Sequence, residues 1–341
     1  MLNIFKKNYQ FFIFILFYFF IGAYFSIING ITSDEYHQQL NWEIHQSAII
    51  SFFQNGNYDE LLNHGDRYQG VAFNLITQPF SEEFYAYLYS SFDQVSLNKN
   101  CTLTIHSVRH SKSLQDDLSF LAKNHDGFIM FLPTLDPYSY NKIKETLENY
   151  PIVSIAPSFE PIFDTFTFDS YQGGALSAKA FIEKGYEKFG IIRGPLEKWE
   201  AALRRNGFRD TIENAGYKIS WDYKGDYSFE AGENAFHSIF KRKIKNIGVF
   251  ASNDQMAVGF IHAALENKKE IPTDYAIIGY DNILFSKIFF PKLTTIDTDV
   301  DQLAEEAIDH LIRMIKKEVN LNRSARKTLI PVELIKRDTH K

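Results

Sequence analysis

From residue 70 onward the chain alternates short apolar runs with longer stretches of helical periodicity. That alternation restricts the fold to mostly parallel sheet covered by helices on both faces. The pattern predicts strands at 70–76, 101–108, 127–132 and 151–156, with helices at 82–97, 114–124 and 138–149 between them. It then restarts. A short extended piece at 165–168 leads into a helix at 173–184 that Gly185 ends. Strands at 189–193, 217–223, 247–251 and 275–279 alternate with helices at 197–215, 229–241 and 254–266. A helix at 300–317 and a strand at 327–336 follow. The two halves match in size and order, and no Gly/Ser-rich or charged linker separates them. Two lobes across a cleft are expected, with ligand at the C-terminal ends of the strands. The boundaries read as 70–160 plus about 298–325 for the N-terminal lobe, and 161–297 plus about 326–341 for the C-terminal lobe. Crossovers between the lobes are expected near 159–166 and 295–299.

The N-terminal part is different. Residues 11–28 (FFIFILFYFFIGAYFSII) carry no charge, with Lys6 and Lys7 before them and Asp34 and Glu35 after. A run of about 18 apolar residues reaches the lower end of what spans a bilayer core. The lysine pair favours an N-terminus inside. One hydrophobic N-terminal helix is therefore expected ahead of the lobes, with residues 1–30 as a membrane anchor or signal segment. The run exceeds the ~7–15 residues of a signal-peptide core and lacks a small-x-small site, which favours an uncleaved anchor. Residues 31–69 read as a juxtamembrane helical spacer, with apolar positions 36, 40, 44, 48, 49, 52 and 53 at helical spacing. The basic residues of 1–69 are Lys6, Lys7 and Arg67, too few for a head that must neutralise several phosphates.

Composition excludes several chemistries. The single cysteine, Cys101, opens an apolar run and reads as a buried strand thiol; one thiol makes no internal disulfide. The ten histidines show no metal-ligand spacing. There is no Gly-x-Ser-x-Gly elbow, and Gln172-Gly173-Gly174 is no phosphate loop. Neither an enzyme nor a cofactor or metal site is expected. The net charge of −6 argues against a surface built for nucleic acid.

Three ordered segments carry the strongest signal: Ala251-Ser252-Asn253-Asp254-Gln255-Met256-Ala257, Ile278-Gly279-Tyr280-Asp281-Asn282 and Leu293-Thr294-Thr295-Ile296. Upstream stand Asp169-Ser170-Tyr171-Gln172-Gly173-Gly174-Ala175, Ile192-Arg193-Gly194-Pro195, Arg204-Arg205-Asn206-Gly207-Phe208 and Gly225-Asp226-Tyr227-Ser228. Leu75-Ile76-Thr77-Gln78-Pro79-Phe80 adds a divergent first strand and turn. Together these resemble the effector-binding core of the lactose-repressor/galactose-repressor (LacI/GalR) family, over about 270 residues. The resemblance implies an α/β, two-lobed, periplasmic-binding-protein-like (type I) fold, small-molecule binding and no catalysis. The N-terminus, where that family carries its DNA-binding head, holds the apolar segment instead.

The resemblance implies a ligand site at Phe80, Arg204, Tyr227, Asn253 and Asp281. Arg204 would present a planar fork of donors to hydroxyls or a carboxylate; otherwise it is a surface helix arginine. Asn253 would both donate to and accept from a ligand, or cap the following helix. Asp281 would accept from ligand hydroxyls, or serve as a turn aspartate. Tyr227 offers a stacking face or simple packing, and Phe80 a cover from the opposite lobe or a core plug. One departure stands out. Where many members end a first-lobe strand with an aspartate that pairs with the arginine, this chain has Ala156. Another acid then takes over, or the ligand is anionic.

The resulting expectation is a sensor for a sugar or related polar metabolite, closing its lobes on the ligand. It would be membrane-anchored through residues 11–28, with the ligand-binding domain extracytoplasmic. The alternative is a LacI-family transcriptional regulator, cytoplasmic, with a lost, divergent or mis-started DNA-binding head. Homodimer formation is compatible with either. DNA is not expected as a partner unless a head is missing from the chain.

Overall fold

Alternating apolar runs fold as the pattern requires, into two six-stranded sheets. The computed structural model describes residues 71–77, 83–108, 114–156, 160–195, 198–321 and 323–340. The expected apolar helix, the anchor at 11–28 and the spacer at 31–69 lie outside these residues, as does Phe80. Among the described residues, no helix is long and apolar enough to cross a membrane.

The first sheet has the order β11-β5-β4-β3-β1-β2. It comprises β1 (Ala72–Thr77), β2 (Thr102–Ser107), β3 (Gly127–Phe131), β4 (Ile152–Ile155), β5 (Asp164–Phe168) and β11 (Lys327–Ile330). Helices α1 (Glu83–Asn98), α2 (Leu114–Leu121), α3 (Pro137–Thr146) and α9 (Val300–Ile315) belong to this lobe. The second sheet has the order β12-β10-β9-β8-β6-β7. Its strands are β6 (Phe189–Arg193), β7 (Ile219–Lys224), β8 (Ile247–Ala251), β9 (Tyr275–Asp281), β10 (Thr294–Asp297) and β12 (Glu333–Ile335). Helices α4 (Ser170–Glu183), α5 (Trp199–Asn214), α6 (Phe229–Lys241), α7 (Asp254–Glu266) and α8 (Leu284–Ile288) accompany it.

Each sheet buries both faces. Phe73 and Leu75 of β1 join the cluster under α1 and α9, while Ile76 joins the one under α2 and α3. In the second lobe, Val249 packs towards α6 and α7 and Phe250 towards α4 and α5. Alternate strand residues thus feed opposite cores. Cys101 is buried beside β2, as its apolar run suggested.

The structure departs from the expected lobe composition at two strands. β5 pairs in parallel with β4 and β11, so 164–168 and 327–330 sit in the first sheet, not the second. The expected strand at 327–336 is two strands: β11 in the first sheet, then β12, antiparallel to β10 in the second. The sheets are therefore parallel except at this edge. The chain passes between lobes at 168–170, at 297–300 and at 330–333. The first of these lies after β5 rather than at 159–166.

Candidate functional site

Arg204 reaches the cleft because two helices touch through glycine. A Cβ on Gly174 of α4 would sit 2.0 Å from the Arg204 carbonyl oxygen, and one on Gly207 of α5 would sit 1.9 Å from the Tyr171 carbonyl oxygen. Backbone meets backbone there, so larger residues do not fit. Phe208 fills the core below. The Arg-x-x-Gly-Phe motif thus locks the helix, and one turn earlier Arg204 is delivered to the strand ends.

Arg204 is buried, with 7% exposure, and so is not a surface arginine. Its Nη1 donates to the Ser252 carbonyl at 2.6 Å and lies 3.3 Å from Asp281 Oδ1. Its guanidinium stacks 3.6 Å above the Tyr280 ring. Burial pulls its pKa down, but Asp281, Tyr280 and Tyr227 more than compensate, and the net shift is upward. Arg204 thus takes its counter-charge from its own lobe, at Asp281, although the first lobe has Ala156 in place of a carboxylate. Among the described residues, the Arg204 Nε hydrogen has no partner.

Arg204, Tyr227, Asn253 and Asp281 come together in one cleft between the lobes. Lys198, Trp199 and Glu200, at the start of α5, complete this wall. The opposite wall is formed by Phe84, Tyr85, Leu88, Phe131, Ile155, Ala156 and Phe168. Three of the cleft residues hold left-handed backbone without being glycine: Ala156 (φ 45), Tyr227 (φ 77) and Asp281 (φ 106). Such conformations are costly and gather at functional sites. Gly194 leaves room for Tyr227, since a Cβ there would lie 2.5 Å from its ring. Lys198 Nζ sits 4.8 Å from the centre of that ring.

Asn253 is first a helix cap. Its Oδ1 accepts from the Met256 amide and its Nδ2 donates to the Tyr227 carbonyl, both at 3.0 Å. One amide hydrogen remains for a ligand. The neighbouring Asp254, fully buried, does what the sequence reading missed. Its carboxylate accepts from the Thr295 hydroxyl and, at 3.0 Å, from the Ile283 amide. A Cβ on Gly279 would collide with it. Asp254 thus ties together the Asn-Asp, Gly-Tyr-Asp-Asn and Leu-Thr-Thr-Ile segments, which explains why they occur as a set. Burial pushes its pKa well up, and Asp281 adds to the shift. Arg337 braces the same loop, donating to Asn282 Oδ1 at 2.6 Å and the Leu293 carbonyl at 2.7 Å. Glu200 was also missed. It accepts from Thr167 Oγ1 at 2.8 Å and from the Ser170 hydroxyl, linking α5 to the crossover after β5. Its position at the opening of a helix after strand β6 was the available signal.

Two six-stranded sheets with a polar wall at their strand ends define a two-lobed small-molecule-binding protein. A family described as a periplasmic binding protein-like domain matches residues 178–340. The chain is 31% identical over 254 residues to the ribose operon repressor of Escherichia coli (strain K12), covering 72% of this chain and 74% of that protein. It is 28% identical over 252 residues to the HTH-type transcriptional repressor PurR of Klebsiella pneumoniae (strain 342), with 72% and 74% covered. Among solved structures, a lac repressor dimer bound to operator and the anti-inducer ONPF superposes with a TM-score of 0.72 at 22% identity. That match covers 83% of this chain and 99% of the repressor. A LacI family transcriptional regulator from Enterococcus faecium with bound ribose gives 0.68 at 20% identity, over 79% of this chain and 98% of that one. The chain belongs to the LacI/GalR family and carries its effector-binding core. Its relatives are repressors, and it is a non-enzymatic member of a regulator family.

These relatives overturn one expectation. A membrane-anchored, extracytoplasmic receptor, with residues 11–28 as its membrane partner, does not fit a family of operon and operator repressors. Only the length and flanking charge of residues 11–28 favour a span, whereas the motifs of the core resemble those of regulators.

Proposed function

We propose that this chain is an effector-responsive transcriptional regulator whose two-lobed core binds a sugar or a related polar metabolite. One observation carries the reading: Arg204, Tyr227, Asn253 and Asp281, from four separate elements, converge on a single interlobe cleft. The fork of Arg204 and the carboxylate of Asp281 offer donors and an acceptor to adjacent hydroxyls, and the Tyr227 ring offers an apolar face. Ligand acts by binding the closed arrangement of lobes better than the open one. The ribose operon repressor and the ribose-bound Enterococcus regulator support a polyhydroxylated effector. The lac repressor dimer supports pairing into homodimers, and its operator supports DNA as the second partner. The protein then works in the cytoplasm, where the DNA is.

Retention of DNA from upstream of its own gene, followed by fluorescence anisotropy with and without pentoses and hexoses, tests this. Ligand-dependent DNA binding is expected. Failure to retain DNA under any condition, or retention indifferent to a sugar that binds the cleft, would overturn it.

A further inference from the structure

Helices α6 and α7 lie against each other backbone to backbone. A Cβ on Gly232 would sit 2.0 Å from the Met256 carbonyl oxygen, and one on Gly259 would sit 2.0 Å from the Phe229 carbonyl oxygen. These reciprocal contacts fix the spacing of the two helices, because neither can shift without opening both. Three donors gather on the solvent-facing side of the pair: Glu233 of α6, with His262 and Glu266 of α7. His262 and Glu266 stand one helical turn apart and share a face. The His262 Nδ1 is 2.9 Å from Glu233 Oε1, and its Nε2 is 4.0 Å from Glu266 Oε1. One ring nitrogen and one oxygen of each carboxylate lie within 4.8 Å of one another. The Phe229 ring, 5.5 Å from the imidazole, limits its rotation. Among the described residues, no lysine or arginine comes within ion-pair distance of either glutamate. None of the three donors lines the interlobe cleft.

We propose that Glu233, His262 and Glu266 hold one divalent first-row transition-metal ion, with zinc the best fit, as a staple between α6 and α7. Bonds of about 2 Å set tetrahedral donors roughly 3.4 Å apart, so the glutamate tips close by about 1 Å while the glycines hold the backbone. An imidazole in the donor set disfavours magnesium and calcium, which take oxygen. Three protein donors leave the fourth position to water. The two carboxylates, without a cationic partner, supply the charge that offsets that of the ion. The sequence shows only His262-x-x-x-Glu266; the third donor comes from another helix, and only the packing of α6 on α7 brings it in.

The test is titration of the chelator-treated full chain with ZnCl2, read by calorimetry and thermal shift, beside His262→Ala and Glu266→Gln. Without zinc, both variants are expected to melt with the parent, since the Glu266 side chain is 65% exposed and that of His262 42%. The parent is expected to bind zinc and, at 100 times the dissociation constant, to rise in midpoint by roughly 5–10 °C. Each variant is expected to lose one zinc equivalent, or to weaken at least about 10-fold at that site. MgCl2 at the same concentration is expected to give no shift. Absence of zinc binding, unchanged stoichiometry and affinity in either folded variant, or an equal response to magnesium would overturn the proposal. Should His262→Ala fail to fold, Glu266→Gln decides it.

Discussion

Replacing Asp281 by Asn removes one charge from the cleft and almost no volume. The left-handed backbone at this position (φ 106) suits asparagine as well as aspartate. Arg204 stays behind, its side chain 9% exposed, without the carboxylate 3.3 Å from its Nη1. Breaking a buried ion pair by neutralising one partner costs ~3–5 kcal/mol, because the remaining charge is still desolvated. The Ser252 carbonyl at 2.6 Å and the Tyr280 ring at 3.6 Å continue to hold the guanidinium. The loss therefore falls at the low end, about 3 kcal/mol. Arg204→Met is the reciprocal change. It strands Asp281 beside Asp254, which already carries the repulsion of its neighbour. Removing both charges together is expected to recover much of either loss, with a coupling energy of about 2 kcal/mol. Urea unfolding of the four proteins at neutral pH measures this, provided the denaturant slope stays constant. An Asp281→Asn variant within about 1 kcal/mol of the parent would refute the argument, since a pair that weak behaves as a solvent-exposed one.

Gly207→Ala is expected to cost more than the ~1–3 kcal/mol of ordinary overpacking, because the new Cβ meets the Tyr171 carbonyl at 1.9 Å; urea midpoints decide it, and a shift under about 0.5 kcal/mol would contradict the close approach of α4 and α5. Asp164 is held down to about 2: burial works against its charge, but His310, Arg323 and the Arg326 amide outweigh it. Its stabilisation is present above the unfolded value of 3.8 and lost as pH falls through about 2, so Asp164→Asn should cost about 2 kcal/mol at pH 5 and lose most of that gap to the parent by pH 2. Asp254 has the opposite sign. Its raised pKa makes its contribution complete below the unfolded value of 3.8 and lost as pH rises through the folded value, so Asp254→Asn should gain on the parent from about pH 4 upward. A pH-independent difference between the two would remove burial as the cause.

Much of this was legible in the chain. The short continuous apolar runs mark nearly every strand from β1 to β9, because strands buried on both faces are apolar almost throughout. Four of the five expected site residues line one cleft, since the motifs sit at strand ends where ligands bind. Phe80 falls outside the described residues. What was not legible depended on pairing across the sequence. β5 is a short, isolated extended piece, and nothing in residues 164–168 says that β4 and β11 claim it for the first sheet. The single run at 327–336 hides a crossover between Ile330 and Glu333, because both strands are brief and semi-exposed. Asp254 read as the first residue of a helix; its role appears only when Thr295 and the Ile283 amide fold onto it. Ala156 raises the question of which acid faces Arg204, but the 3.3 Å approach of Asp281 is a matter of distance that the sequence does not hold.

The most direct test of the account is ligand-induced thermal stabilisation of the full chain, compared with Arg204→Ala and Asp281→Ala variants shown to be folded without ligand. A ligand at 100 times its dissociation constant adds about 2.7 kcal/mol to the native state. For a unit of this size, that raises the midpoint by roughly 5–10 °C. The account predicts that shift in the parent and its loss in both variants. An equal shift in all three proteins would place the ligand elsewhere and contradict the assignment of the cleft.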